Sequence, residues 1–376
     1  MSERPARPEN HAPALLSRRA ALAGGLGMAT LPLMAGRAAA QTGPVTTVNG
    51  VQTTADVAKA EQEGSMLFYT HDGEAAAAIV VDAFTKTFPK IKGEYFRAQN
   101  GAMYSKLLAE RSAGRFNVDA VQFSDIATAL DFKKRGGYEH HVSPEDSDYA
   151  PIYLSSPPGD YFLAGVTFGG ICYNTNLVPA NEAPKTWKDL LDPRWRNTMS
   201  TKQATSGLQF VEWYELQKLY GPQFWKDFAK QKPRGFDSRV QLFDRLAKGD
   251  DKVCALGEYA GYLLYKQKGA PIEFVAPSDG LPSTPVIAGV VSKAPHPEAG
   301  KLFIDWLMSP IGQNVYQNNP QFYYPSYRKD APPMPGGKLL ADFKILSPID
   351  DPADLADYLA SQSKFTSEWN RLLGLL

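Results

Sequence analysis

The chain has 376 residues, 43% of them apolar, with 40 basic and 40 acidic side chains and no net charge at pH 7. That balance gives no electrostatic reason to expect nucleic acid or an anionic membrane as a partner. The length exceeds what one compact core usually holds, so two lobes are expected, and beyond residue 40 no stretch is apolar enough to span a bilayer.

The opening segment reads as an export leader. A basic region ends in Ser17-Arg18-Arg19, and a weakly apolar stretch over 20–34 is broken by Gly24, Gly25, Gly27 and Pro32. Ala38-Ala39-Ala40 before Gln41 forms a small-x-small cleavage signal. Paired arginines, modest hydrophobicity and Arg37 beside the cleavage point predict the twin-arginine route. The expected product is periplasmic, freed by cleavage near Ala40 and without a lipid-bearing cysteine. Cys172 and Cys254 each sit in an apolar run, which favours buried free thiols, although an exported location permits a bond.

Residues 66–70 read as a buried strand, and 75–88 then carry Ile79, Val80, Ala83, Phe84 and Phe88 at helical spacing. A second strand over 91–96 runs into Arg97-Ala98-Gln99-Asn100-Gly101. The helix that follows reaches 113, with Met103, Leu107 and Leu108 on one face. A third strand, 118–123, meets Ser124-Asp125, an N-cap signal for a helix over 126–134. Such alternation predicts a parallel sheet covered by helices.

Residues 136–160 read as a polar surface loop with His140-His141 in solvent. An apolar strand follows over 162–172. Thr186-Trp187-Lys188-Asp189 has a capping-box arrangement. Residues 199–202 form a short strand, and Thr205-Ser206-Gly207 opens a helix to about 220. A strand over 253–257 carries Glu258-Tyr259 at its end, and Gly269 stops the next helix. After a strand over 272–276 come a proline-rich turn, 277–285, and a strand over 286–291. Helices follow over 296–308, from Ser309-Pro310 onward, and over 352–373.

The chemistry concentrates at strand-to-helix junctions: Thr70 to Glu74, Arg97 to Gly101, Phe123 to Asp125, Thr205 to Gly207, and Glu258-Tyr259. In open α/β sheets ligands bind beyond the carboxyl ends of strands. Helix starts there offer unpaired N–H groups and partial positive charge, which suits anions. Thr205 and Ser206 add hydroxyl donors, and Arg97 adds a fork-shaped cation. Enzyme motifs are scarce: His71-Asp72 is an acid–base pair without an identifiable nucleophile.

The order of elements resembles the periplasmic solute-binding proteins of ABC importers, with the two-lobed type II α/β fold. It looks closest to the ferric-iron-binding branch, which includes receptors for thiamine, 2-aminoethylphosphonate and sugar phosphates. The resemblance rests on the run from Gly170-Ile171-Cys172-Tyr173 to Leu177, on Pro184 to Pro193, on Thr205-Ser206-Gly207, and on Pro295-His296-Pro297 leading to Gln313. It implies a mixed sheet flanked by helices in each lobe, joined by crossing strands near 164–171 and 284–290. The lobes would be 42–166 plus 288–376, and 167–287.

It further implies a ligand-binding receptor that serves an inner-membrane permease. Such a receptor is no enzyme, and it is expected to be a monomer with no cofactor and no nucleic-acid partner. The site residues would be Thr70, His71, Arg97, Ser124, Asp125, Thr205, Ser206, Gly207, Glu258 and Tyr259. Thr205-Ser206-Gly207 matches the segment that holds phosphate or an anion in relatives. Together with Arg97 it favours a solute bearing phosphate, phosphonate or carboxylate, with Glu258 free to pair with an amine or hydroxyl of that solute. The alternative is ferric iron on His71, Asp125, Glu258 and Tyr259, although only one tyrosine of the family's adjacent pair is kept. An exported enzyme such as a hydrolase, or a sensor for a membrane kinase, are the other readings.

Overall fold

The computed structural model describes residues 43–203, 207–236, 238–349 and 351–374. The leader, Thr205 and Ser206 therefore lie outside the described residues. The chain opens with a hairpin of β1 (Thr46–Val48) and β2 (Val51–Thr53), then α1 (Val57–Glu63). Strands and helices alternate through β3 (Ser65–Thr70), α2 (Glu74–Thr87), β4 (Lys92–Arg97), α3 (Asn100–Ser112), β5 (Ala120–Phe123) and α4 (Ile126–Lys134). After β6 (Phe162–Asn174) come β7 (Met199–Lys202), α5 (Gly207–Tyr220), α6 (Gln223–Ala229), β8 (Arg234–Phe236), α7 (Arg239–Lys248), β9 (Val253–Glu258), α8 (Tyr259–Gln267) and β10 (Ile272–Val275). The chain ends with β11 (Leu281–Val290), α9 (Pro297–Met308), α10 (Pro310–Asn318), β12 (Ile345–Leu346) and α11 (Pro352–Leu373).

Among the described residues, ten strands share one hydrogen-bonded sheet in the order β4-β3-β5-β11-β6-β9-β7-β8, with β10 on β6 and β12 on β11. β3 is parallel to β4 and β5, and β7 to β8 and β9. Between these two parallel groups, β6 and β11 run antiparallel to each other and to β5, β9 and β10. Both are covered on two faces, which explains their near-continuous apolar sequence. Every residue of β6 is buried except Thr167, and β11 is buried throughout.

β11 starts at Leu281, so half of the expected proline-rich turn is strand. Prolines read as turn because they cannot donate to a ladder. Here the loss is absorbed locally. The Val166 N–H opposite Pro285 donates to the Pro325 carbonyl at 3.2 Å, and the register shifts after Val286.

The 136–160 segment is partly drawn inward: His140 and 156–158 are exposed as expected, but His141 and Tyr149 are not. The Tyr149 hydroxyl donates to the Met308 carbonyl at 2.9 Å. His141 is buried, with Nε2 2.8 Å from Asp305 Oδ1, while the Thr53 hydroxyl donates to Asp305 Oδ2 at 2.5 Å. A fully buried carboxylate needs such partners, and that need pulls the loop onto α9.

Asp146 lines a small pocket with His141, and its Oδ2 is buried with no hydrogen-bond partner among the described residues. Burial raises its pKa from 3.8 to about 6, with the His141 charge opposing the rise. A carboxyl raised on folding favours the folded state below its unfolded pKa and costs stability as pH climbs through the folded value. Asp146→Asn is therefore expected to add about 1 kcal/mol at pH 8 and nothing near pH 3. Urea midpoints at the two pH values measure this; a variant weaker than the parent at pH 8 contradicts it.

Cys172 and Cys254 are buried, unbonded register partners on β6 and β9. α11 packs on α5 and α6, which lie within the 167–287 segment, although the sequence reading groups 288–376 with the first lobe. Tyr358 stacks on Phe210 with centroids 4.2 Å apart, and Trp369 meets Trp225 edge-on at 4.9 Å. The Trp369 indole donates to the Lys202 carbonyl of β7 at 3.2 Å. No described helix is long and apolar enough to cross a membrane.

Candidate functional site: a cleft at the crossing strands

The parallel strands β3, β4 and β5 all end on the same side of the sheet, so the loops that follow them emerge together. A cleft of about 450 Å³ opens there. Thr167 of β6 and Thr284 of β11, register partners, form its floor. Asn100, Gly101 and Ser124 line one side, at the starts of α3 and α4. Gly207 and Leu208 at the start of α5, with Glu258 before α8, line the other. Tyr358, Gln362 and Phe365 of α11 close the remaining wall.

Asn100 ties two of these loops together. Its Oδ1 accepts from the Ser124 N–H at 3.0 Å, and its Nδ2 donates to Asp125 Oδ2 at 2.6 Å. Asp125 is thereby committed, since Oδ1 also caps α4 by accepting from the Thr128 N–H at 2.8 Å. The first turns of α3 and α8 carry no side-chain cap. Their N–H groups remain available to a bound acceptor.

Glu258 is an anion held by two cations. Lys202 Nζ lies 2.9 Å from Oε1 and the Arg239 guanidinium 3.2 Å from Oε2. Burial pushes the Glu258 carboxyl up, but Lys202 and Arg239 outweigh it and hold the pKa at about 2. The trio carries one net positive charge at the edge of the cleft. Arg239 also donates to the Gln321 carbonyl at 3.0 Å.

At the end of β3, Asp72 accepts from Gln122 Nε2 and from the Tyr324 hydroxyl, both at 2.6 Å. His71 lines the cleft with Nε2 3.5 Å from that hydroxyl. Burial, and then Asp72, push the Tyr324 phenol well above its usual range.

Residues 122–342, more than half of the chain, match the family model described as bacterial extracellular solute-binding protein. The chain belongs to that family. This solute-binding protein is 23% identical over 277 residues to an uncharacterized protein of Haemophilus influenzae, covering 68% of this chain and 76% of that one. Its fold is similar to the periplasmic binding protein AfuA of Actinobacillus pleuropneumoniae, solved with exogenous fructose-6-phosphate bound. That match has a TM-score of 0.68 at 19% identity and covers 83% of this chain and 99% of that one. Iron-bound HitA of Pseudomonas aeruginosa gives 0.66 at 19% identity, over 80% and 98% of the two chains. The substrate-binding protein of an ABC transporter from Agrobacterium tumefaciens gives 0.70 at 16%, over 82% and 94%. These neighbours establish the type II periplasmic binding fold.

Of the residues singled out in the sequence of this solute-binding protein, His71, Ser124, Asp125, Gly207 and Glu258 share the cleft. Thr70, Arg97 and Tyr259 lie outside its lining. Thr70 is fully buried and accepts from the Asp72 N–H at 3.1 Å; Arg97 is exposed and donates to the Asp72 carbonyl at 3.1 Å. Tyr259 is buried and stacked on Phe168, with ring centroids 5.0 Å apart. Thr167, Thr284, Tyr324 and the α11 wall were not anticipated. Tyr324 follows Tyr323 in the sequence, and nothing local to that pair says that it folds back to the end of β3.

Proposed function

We propose that this protein is a periplasmic receptor for a small solute bearing a phosphate, phosphonate or carboxylate group, which it delivers to an ABC import permease. The carrying observation is that the starts of α3, α4 and α5 and the residue before α8 line one cleft, on both sides of the crossing strands. Converging N–H groups and helix dipoles suit an anion, and the net charge of Lys202, Glu258 and Arg239 adds to them. Glu258 is already paired, so the ligand's other end is better served by hydroxyls than by an amine. Neutral side chains such as Thr167 and Thr284 match hydroxyls, as in the fructose-6-phosphate bound to AfuA.

The arrangement does not favour ferric iron. A ferric ion wants phenolate and carboxylate oxygens. Tyr259 and Tyr324 are held as phenols by burial, Asp125 caps a helix, and Glu258 is neutralised. No described cluster of three His, Cys, Asp or Glu is placed to hold a metal. In this reading the protein travels by the twin-arginine route and works as a monomer. Its first lobe is 43–166 with 288–339, and its second is 167–287 with 340–374, the latter including α11.

Thermal shift with separate ligands tests the proposal, because a ligand that binds only the folded state stabilises it by about 2.7 kcal/mol at a hundred times its Kd. Fructose 6-phosphate, inorganic phosphate or citrate is expected to raise the melting point. A rise with ferric salts and with none of these anions would show the anion reading to be wrong.

A further inference from the structure

We infer that the Tyr358 hydroxyl of α11 is a ligand-binding donor, which hydrogen-bonds the anionic group of the solute beside the start of α5. This rests on the anion reading above. Tyr358 lines the cleft, yet it is only 4% exposed. Its ring is fixed by two side chains of α5: it stacks on Phe210 with centroids 4.2 Å apart and meets Tyr214 edge-on at 5.4 Å. α11 is itself anchored on both sides of that ring, since Lys218 pairs with Asp354 at 2.6 Å and Trp369 meets Trp225 at 4.9 Å. The ring therefore has little freedom to turn its hydroxyl elsewhere.

Packing does not account for that hydroxyl. Phe210 and Phe365 fill the same aromatic cluster without one. Among the described residues the Tyr358 hydroxyl makes no hydrogen bond, whereas the buried hydroxyls of Tyr149 and Tyr324 donate to the Met308 carbonyl and to Asp72. Burial, and then the Asp125 charge, push the Tyr358 phenol well above its usual range, so it keeps its proton and offers a donor. Asp125 is not its acceptor, because the oxygens of Asp125 accept from Asn100 and Thr128. A buried hydroxyl left unpaired is costly, and one that meets a bound anion at the cleft gains a charge-assisted bond instead. Phe210 lies three residues after Gly207, in the first turn of α5, so the ring stacked on it stands beside that helix start. The phenol and the N–H groups of that turn then address the same oxygen-rich group.

Calorimetric titration of the wild type and Tyr358→Phe with two probes, inorganic phosphate and fructose 6-phosphate, tests the inference. The variant keeps the ring and its stacking, so its urea midpoint without ligand should match or exceed that of the wild type. Both probes are expected to bind it about tenfold more weakly, because both carry the group that loses its donor. Undiminished affinity for either probe would overturn the role of Tyr358 while leaving the anion reading intact. A variant midpoint well below that of the wild type would also overturn it, by showing that the hydroxyl is bonded within the fold. A wild type that binds neither probe would overturn both readings together.

Discussion

Arg328→Met is expected to cost the fold about 3–5 kcal/mol, measured as a fall in the urea midpoint at pH 7. Arg328 lies in the long connection between α10 and α11, and its side chain is only 3% exposed. It pairs with the equally buried Glu145 at 2.7 Å, with Asp330 at 2.7 Å and Asp148 at 3.1 Å, and donates to the Met308 carbonyl at 2.9 Å. Asp148 and Asp330 are partly exposed and are screened by water, so they contribute little. The loss comes from Glu145, a buried carboxyl whose pKa burial already pushes up against the pull of Arg328, and which is left with only a backbone hydrogen bond at Gln52. The double variant with Glu145→Gln should recover much of it. A double variant as weak as Arg328→Met alone would show that the packing of the Arg328 stem, not the ion pair, carries the stability.

Glu258→Gln has opposite effects on stability and on binding. The folded pKa of about 2 lies below the ordinary value of 4.5. A carboxyl depressed on folding stabilises above its unfolded pKa, and that stability is lost as pH falls through the folded value. The contribution is about 3 kcal/mol at pH 7, fading between pH 4.5 and pH 2. Wild type and variant should therefore differ at pH 7 and converge near pH 2 in urea titrations at fixed salt. Binding should move the other way. With Glu258 neutral, Lys202 and Arg239 lose their counter-charge beside the cleft, and inorganic phosphate is expected to bind about tenfold more tightly. A weaker phosphate affinity would mean that the trio acts by positioning the start of α8 rather than by charge.

The sequence made local structure legible where one rule acted alone. The apolar periodicity and Asp125 cap gave α4 from Ile126 to Lys134, and Pro352 at the first turn marked the start of α11. It was less legible where tertiary contacts override local preference. Pro282 and Pro285 look like a turn but sit in a strand because β6 and β12 ask little of their missing N–H groups. His141 looks solvated, yet Asp305, 164 residues away, holds it inside. The cleft divides in the same way. His71, Ser124 and Glu258 follow from the rule that sites lie beyond strand ends. Tyr324 and Gln362 reach the cleft through the path of the chain after α10, which no short-range pattern encodes.

The two floor threonines bear on how such a cleft can grip. If the halves swing about β6 and β11, Thr167 and Thr284 stand at the fulcrum, where a rotation displaces atoms least. A group seated there keeps the same neighbours in the open and shut molecule. Groups at the starts of α3 and α5, farther along the lever arm, sweep the larger arc and meet the ligand only on closing. The fulcrum would then hold the hydroxylated body of the solute, while the helix starts take its anionic group only on closing, so a solute without that group would sit in an open jaw.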